Sequence, residues 1–524
     1  MPPRYATRRW GLRAAVALIA LGPLLTLAVL FAAWGQPEPA IWAHLRAHLL
    51  VGIVANTLWL SLGVAIGVSV LGLGLAWLVS RYDFPGRAAF EMLLALPLAV
   101  PAYVAAFVYV GFLEYSGPVA GTLRAIGLDA PNPRGLVGAS VLLSLVLYPY
   151  VYLLARAALR AQGARAFEAA RTLGEGPLGA FRRAALPLIR PAWIAGLALA
   201  LMETLADFGA VSLLGVDTFT TAIYRTWFGL YSLPAAAQLA TVFLLFIALA
   251  LVLERLSRRG ARFAMQQTAP LLRVPLRGGR ALLAATLCML VVLGALALPL
   301  WQLASWALSA PWNGGTLWPL IGNTLAIAAA CAALVVMLGL ALALVERSAR
   351  GDAWLRVPGF VATLGYAVPG TVLAVGIMLV LLHLDRGLAG LGTGTLAGSI
   401  AGVLAALSIR FLRLGHSACE SALEQLRPSV IEAARTLGAG ARDRLWRVYL
   451  PTLRPALFTG ALLVAVEAMK ELPATLMLRP FGWDTLAVRI YAYTAEGLWH
   501  EAAIPALLLV AVGMVPVWVL MRRS

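Results

Sequence analysis

Runs of about 20 apolar residues recur along the whole chain, separated by short polar islands. Backbone groups in lipid must pair within their own segment, so each run predicts a membrane-spanning helix. The period-2 alternation of a membrane barrel is absent. Twelve spans are expected, near 12–34, 52–79, 89–113, 135–158, 192–214, 235–254, 281–308, 319–345, 357–383, 394–414, 456–478 and 502–521. The eleventh carries charges inside it.

The pattern repeats. "NTL" at Asn56 returns at Asn323, and each copy opens an apolar run containing "LGL". "AVP" ends at Pro101 and again at Pro369; "DTFTTAIY" at Asp217 returns as "DTLAVRIY" at Asp484. The order is the same in both halves, at offsets of 264 to 268 residues. Six spans per half make the repeats parallel, related by an axis along the membrane normal. The division expected is a first half 1–254, a linker 255–280 and a second half 281–524. The linker has seven Arg and no acid, with Pro270, Pro275, Gly278 and Gly279.

At 61% hydrophobic and 12% charged, the composition excludes a soluble domain. The net charge of +18 would suit nucleic acid, but its placement argues for membrane topology. Arg residues gather at Arg4, Arg8, Arg9 and Arg13, at 81–87, 156–190, 255–280, 347–356 and 410–454, and at Arg522 and Arg523. Loops with little net positive charge alternate with them, which is the positive-inside pattern with both termini cytoplasmic. The first apolar run is too long for a cleaved signal peptide, and another span soon follows. Cys288, Cys331 and Cys419 show neither pairing nor metal spacing.

Two of the polar islands are near copies. Between 168–203 and 432–467, 17 of 36 positions are identical. "EAARTLG" reads as a helix that Gly174 or Gly438 ends as a C-cap. A second short helix should follow, with Pro187 and Pro191, or Pro451 and Pro455, breaking it before the next span. Such a loop could rest on lipid headgroups, but lipid contact requires only amphipathicity, whereas a docking surface requires particular residues.

The islands resemble the permease signature of ABC importers: Glu-Ala-Ala, three residues, Gly, nine residues, an aliphatic, one residue, Leu-Pro. The matches are Glu168, Ala169, Ala170, Gly174, Leu186 and Pro187, then Glu432, Ala433, Ala434, Gly438, Leu450 and Pro451. Ala184 departs from the aliphatic position; Val448 fits it. The resemblance covers essentially the whole chain. It implies a bacterial inner-membrane permease with two fused halves, whose coupling loops (near 160–190 and 420–455) seat in two copies of a separate ATPase. A periplasmic binding protein would supply cargo. ATP and Mg would belong to the ATPase, and no cofactor to this chain. Consistently, Lys470 is the sole Lys, so no P-loop is present.

Four acids lie within spans after these loops: Glu203 and Asp207, four apart, and Glu467 and Glu471 at the corresponding positions. Charges at membrane depth cost about 2.5–3.5 kcal/mol and by default face a pathway. The other reading is structural: Lys470 paired with Glu467, or a carboxylate capping broken backbone near Gly209 or Pro473. Excess carboxylate suits a hard cation and disfavours sulfate, phosphate or molybdate without compensating Arg. "ETLADFGAV" with "DTFTTAIYRTWFG", and "KELPATLMLRPFGWDTLAVRIY", resemble the permeases of ferric-iron importers. That resemblance implies Fe(III) as cargo, touching Glu203, Asp207, Glu467 and Glu471 in transit. Thiamine and polyamine permeases are close relatives of that group. A secondary transporter driven by an ion gradient is the rival from another class, and gives no reason for paired loops.

Among lesser candidates, His44 and His48 stand four apart and read as an ordinary polar interfacial helix or as a shared metal site; His383, His416 and His500 are isolated in sequence. Tyr103 and Tyr109 read as packing. Asp217, Arg225, Asp484 and Arg489 are solvated loop charges or rim contacts for a binding protein. The fold expected is all-α, about twelve membrane helices in two parallel repeats with pseudo-twofold symmetry.

Overall fold

The computed structural model describes residues 3–115, 117–162, 170, 172–258, 273–310, 314–348, 352–388 and 395–523. They are almost entirely helical, apart from a two-residue parallel ladder. Among the described residues eleven helices are long and apolar enough to cross a membrane, and the shorter apolar Leu233–Leu249 lies at the remaining expected span. Large side chains stay exposed along span faces: Leu18 is 71% exposed, Val51 78% and Val70 67%. In water such stripes would be a liability; in lipid they are the outer surface.

Several spans are interrupted where the repeated motifs lie. The third is Arg87–Leu93, a tight turn Leu96–Ala99, then Ala102–Leu113. The ninth is Arg356–Thr363, a tight turn Leu364–Ala367, then Gly370–Leu388. Both breaks fall at "AVP", because proline forces the preceding residue out of the helical region: Val100 and Val368 are extended. The fifth helix ends at Ala206 and restarts at Gly209; the eleventh ends at Lys470 and restarts at Pro473.

The "LGL" motif marks close helix contact. A Cβ on Gly72 would lie 2.6 Å from Val151 Cβ; one on Gly339 would lie 2.7 Å from the His416 backbone nitrogen. Small residues let membrane helices approach closely where no hydrophobic effect drives them together.

Packing groups the chain into two compact units. One comprises Met1–Pro39, Ile223–Thr241 and Asn313–Arg489. In it, the first span packs against the ninth, and Val16, Ala20, Leu342 and Leu412 share one core cluster. Trp34 donates to Thr241 Oγ1 at 2.8 Å, and Gln238 donates to the carbonyls of Ala33 and Gln36. The other unit comprises Ala40–Ala222, Val242–Trp312 and Ile490–Ser524. There the seventh and twelfth spans pack together, and Phe107 stacks with Trp306 and Trp499. The units therefore do not follow the halves 1–254 and 281–524: each takes its peripheral spans from the opposite half. Of the linker, 259–272 lie outside the described residues; Val274–Pro275 pairs in parallel with Tyr82–Asp83.

Candidate functional site

The second signature loop is described in full. Pro428 occupies the first turn of the helix Pro428–Thr436, where its missing N–H costs nothing. Gly438 ends it at φ +81°, a conformation that favours glycine. Three amides then turn back onto the last carbonyls: Leu437 to Ala433 at 3.0 Å, Gly438 to Arg435 at 3.0 Å and Ala439 to Ala434 at 2.9 Å. In the first loop, Glu168 and Ala169 lie outside the described residues. The rest repeats the geometry: Gly174 has φ +89°, and the Glu175 amide donates to Ala170 at 3.1 Å. The two alanines of the second copy thus supply capped carbonyls, while Glu432 and Ala433 face outward. The cap also leaves a leucine standing free of the protein: Leu173 is 85% exposed and Leu437 86%. Both leucines belong to the duplicated "EAARTLG", which is the signal in the sequence that marks them.

Pro187 and Pro451 do not break the following helix, contrary to expectation. Each helix runs on through a wide five-residue turn, Phe181–Ala185 or Leu445–Tyr449, into Leu186–Ala206 or Leu450–Lys470. Leu186 bonds back to Phe181 and Leu450 to Leu445, one residue further than in an α-helix. The widened turn absorbs the proline's missing donor and moves the crowded carbonyl away from its ring. Pro191 and Pro455 are likewise accommodated inside their helices. The second short helix of the loop and the span after it are therefore one continuous helix, Ala441–Lys470, 30 residues and about 45 Å long, while the signature helix Pro428–Thr436 ends separately at Gly438.

The four acids sit at the far ends of these rods. Asp207 accepts from the Val211 amide at 3.0 Å, and its carbonyl accepts from Thr220 Oγ1 at 2.6 Å. Glu471, 6% exposed, accepts from the amides of Ala474 and Thr475 and from Thr475 Oγ1, each at 3.1 Å. Both carboxylates cap the short helix that follows the break, a favourable place for negative charge. Lys470 Nζ lies 2.8 Å from Glu467, whose side chain is 44% exposed. Glu203 is half-buried on the fifth span. Asp207 and Glu471 thus have the capping contacts, and Lys470 and Glu467 the ion pair, that the structural reading expects. Among the described residues no cluster of three His, Cys, Asp or Glu could hold a metal.

Two further pairings join motifs noticed separately in sequence. Asn56 Nδ2 donates to the Asp217 carbonyl, and Asn323 Nδ2 to that of Asp484, both at 3.1 Å. Asp484 pairs with Arg479 and with Arg489, the latter at 2.7 Å. His416, isolated in sequence, lies 2.9 Å from Glu346. Glu91 joins Arg87 at 2.9 Å, Arg156 at 3.2 Å and Arg160. Spacings of 65 to 161 residues hid the Asn56, Asn323 and His416 contacts and those of Glu91 with Arg156 and Arg160 from any local pattern. His44 and His48 have ring centroids 5.3 Å apart. Tyr103 is buried, and Tyr109 donates to the Gly294 carbonyl.

Two glycine-capped loops, each followed by a helix that runs into a span broken at its far end, are the geometry expected of a transport component worked from outside the membrane. The chain belongs to the family of binding-protein-dependent transport system inner membrane components, whose pattern matches twice, over residues 68–262 and 335–524. It is similar to an Fe(3+)-transport system permease protein of Haemophilus influenzae, 27% identical over 484 residues, covering 90% of each chain. It is 26% identical over 464 residues to the ferric transport system permease protein of Actinobacillus pleuropneumoniae, covering 82% of this chain and 65% of that one. A sulfate transport system permease protein of Salmonella typhimurium is 30% identical over 241 residues, covering 44% of this chain and 83% of that one.

Proposed function

We propose that this chain is the fused permease of an ABC importer that carries Fe(III), delivered by a periplasmic binding protein and driven by a separate ATPase. The observation that carries the reading is the duplicated loop: each compact unit bears one copy, with the same glycine cap and the same exposed leucine. Two ATPase subunits, holding ATP and Mg, would each grip one loop at Glu168, Ala169, Ala170 and Gly174 or at Glu432, Ala433, Ala434 and Gly438. Because the second helix of each loop runs on into the span, closure of the motor would swing the spans and alternate access to the path. Both termini lie in the cytoplasm by the distribution of Arg. Of the four acids, Glu203 and Glu467, the latter paired with Lys470 but 44% exposed, are proposed to meet cargo, since Asp207 and Glu471 spend their oxygens on backbone amides.

The test is reconstitution with the ATPase and binding protein. Replacing Glu168 and Glu432 by Arg should cut transport-coupled hydrolysis at least tenfold; normal coupling would remove the docking role. Sulfate is the second reading, favoured by the similarity to sulfate permeases. A ligand screen on the binding protein decides between them: tight binding of sulfate, thiamine or a polyamine without Fe(III) would end the iron assignment.

A further inference from the structure

Tyr231 is the one non-glycine among the described residues with positive φ, at +53°. A left-handed backbone is unfavourable for any side chain with a Cβ, and more so for a bulky one. Strain of this kind persists only where the surroundings hold it. Here they do. Ser232 Oγ donates to Glu38 at 3.1 Å and accepts from the Ala235 amide at 3.2 Å. The Ser232 amide returns to Thr226 at 3.2 Å, and Leu230 to Arg225 at 3.0 Å. The strain is not repaid by packing, because Tyr231 is 89% exposed.

The other half of the chain shows that the strain is avoidable. The turn between Leu486–Ala495 and Trp499–Arg523 corresponds to the one between Phe219–Phe228 and Leu233–Arg258. Its left-handed position is Gly497, at φ +76°. A second exposed aromatic stands in the same compact unit as Tyr231. Phe481 is fully exposed, beside Gly482 at φ +79°, on a loop fixed by Asn323 and by the Arg479–Asp484–Arg489 pairs. Both loops join helices at the end opposite the Arg-rich loops, and so face outward in the orientation proposed above.

We propose that Tyr231, together with Phe481, is an anchor on which the soluble binding protein docks. This rests on the importer reading. Rigidly presented aromatics are the usual carriers of binding energy at protein interfaces. A tyrosine resting on lipid headgroups needs no fixed backbone, whereas a strained, hydrogen-bonded turn matters where one direction is required.

The experiment uses the permease–ATPase complex in nanodiscs, titrated with its cargo-loaded binding protein while hydrolysis is followed. Tyr231→Gly should raise the half-stimulating concentration at least tenfold while raising the thermal midpoint, since glycine relieves the turn. Tyr231→Phe should stay within about twofold of the parent, and Phe481→Ala should weaken docking further. Stimulation curves unchanged in both Tyr231→Gly and Phe481→Ala would overturn the proposal. So would a nitroxide at Tyr231→Cys that collides with oxygen rather than with a water-soluble nickel chelate, which would place the position in lipid. If no binding protein stimulates the parent complex, the importer reading itself falls, and this proposal with it.

Discussion

Gly438 sits at φ +81° with nothing within 4 Å of where a Cβ would be. A Gly438→Ala substitution therefore tests backbone strain alone, about 1–2 kcal/mol. The amides of Leu437–Ala439 should exchange with solvent at least fivefold faster, read by hydrogen-exchange mass spectrometry. Leu437 carries the complementary prediction. An exposed apolar residue costs the permease little to replace, so Leu437→Asp should leave thermal stability unchanged but reduce copurification of the ATPase. At Glu471 the two readings of a membrane acid separate. Both oxygens of Glu471 accept amides and Gln keeps only one acceptor, so Glu471→Gln should lose one of the two bonds and lower the thermal midpoint by less than Glu471→Ala. Glu471→Ala should lower the thermal midpoint by several degrees, leaving two buried amides unsatisfied at about 1–3 kcal/mol each. The acids themselves were legible in sequence, and so was the choice between path and cap. Which applied was not, because it depends on where the helix breaks within two residues.

The spans were legible because lipid leaves the backbone no alternative to helix, and Gly174 and Gly438 announced their caps. The wide turns before Leu186 and Leu450 were not. Proline in a helix reads as an end, and only the observed bond from residue i to i−5 shows how the rod continues past it. The same holds for the asparagine clasps. "NTL" and "DT" were visible as repeats, but nothing local says that Asn56 reaches the carbonyl of Asp217 or Asn323 that of Asp484. Each clasp ties a span to the loop beyond a broken helix. Asn56→Ala and Asn323→Ala should each cost about 1 kcal/mol. Because the two clasps belong to different compact units, the losses in chemical or thermal unfolding should add in the double variant.

At the scale of the molecule, hydropathy reveals how many helices there are but not which neighbours they choose. The exchange of peripheral spans between halves left no mark in the sequence, since lipid-facing and helix-facing leucines look alike. That exchange bears on biogenesis. Residues 1–39 pack with a segment that begins at residue 313, on the order of 270 residues later. At ordinary synthesis rates of about 5–20 residues per second, the first span must wait roughly 15–50 s in the bilayer for the later of its partners, after 223–241 has emerged. A chain cut within 259–272 should yield two fragments that are each degraded when made alone, yet assemble when made together, as read by protease resistance and size exclusion. The fusion, then, acts as more than a tether. It guarantees that an orphaned first helix always has its rightful partners arriving on the same ribosome, and it spares the cell from having to match two separately made subunits one to one.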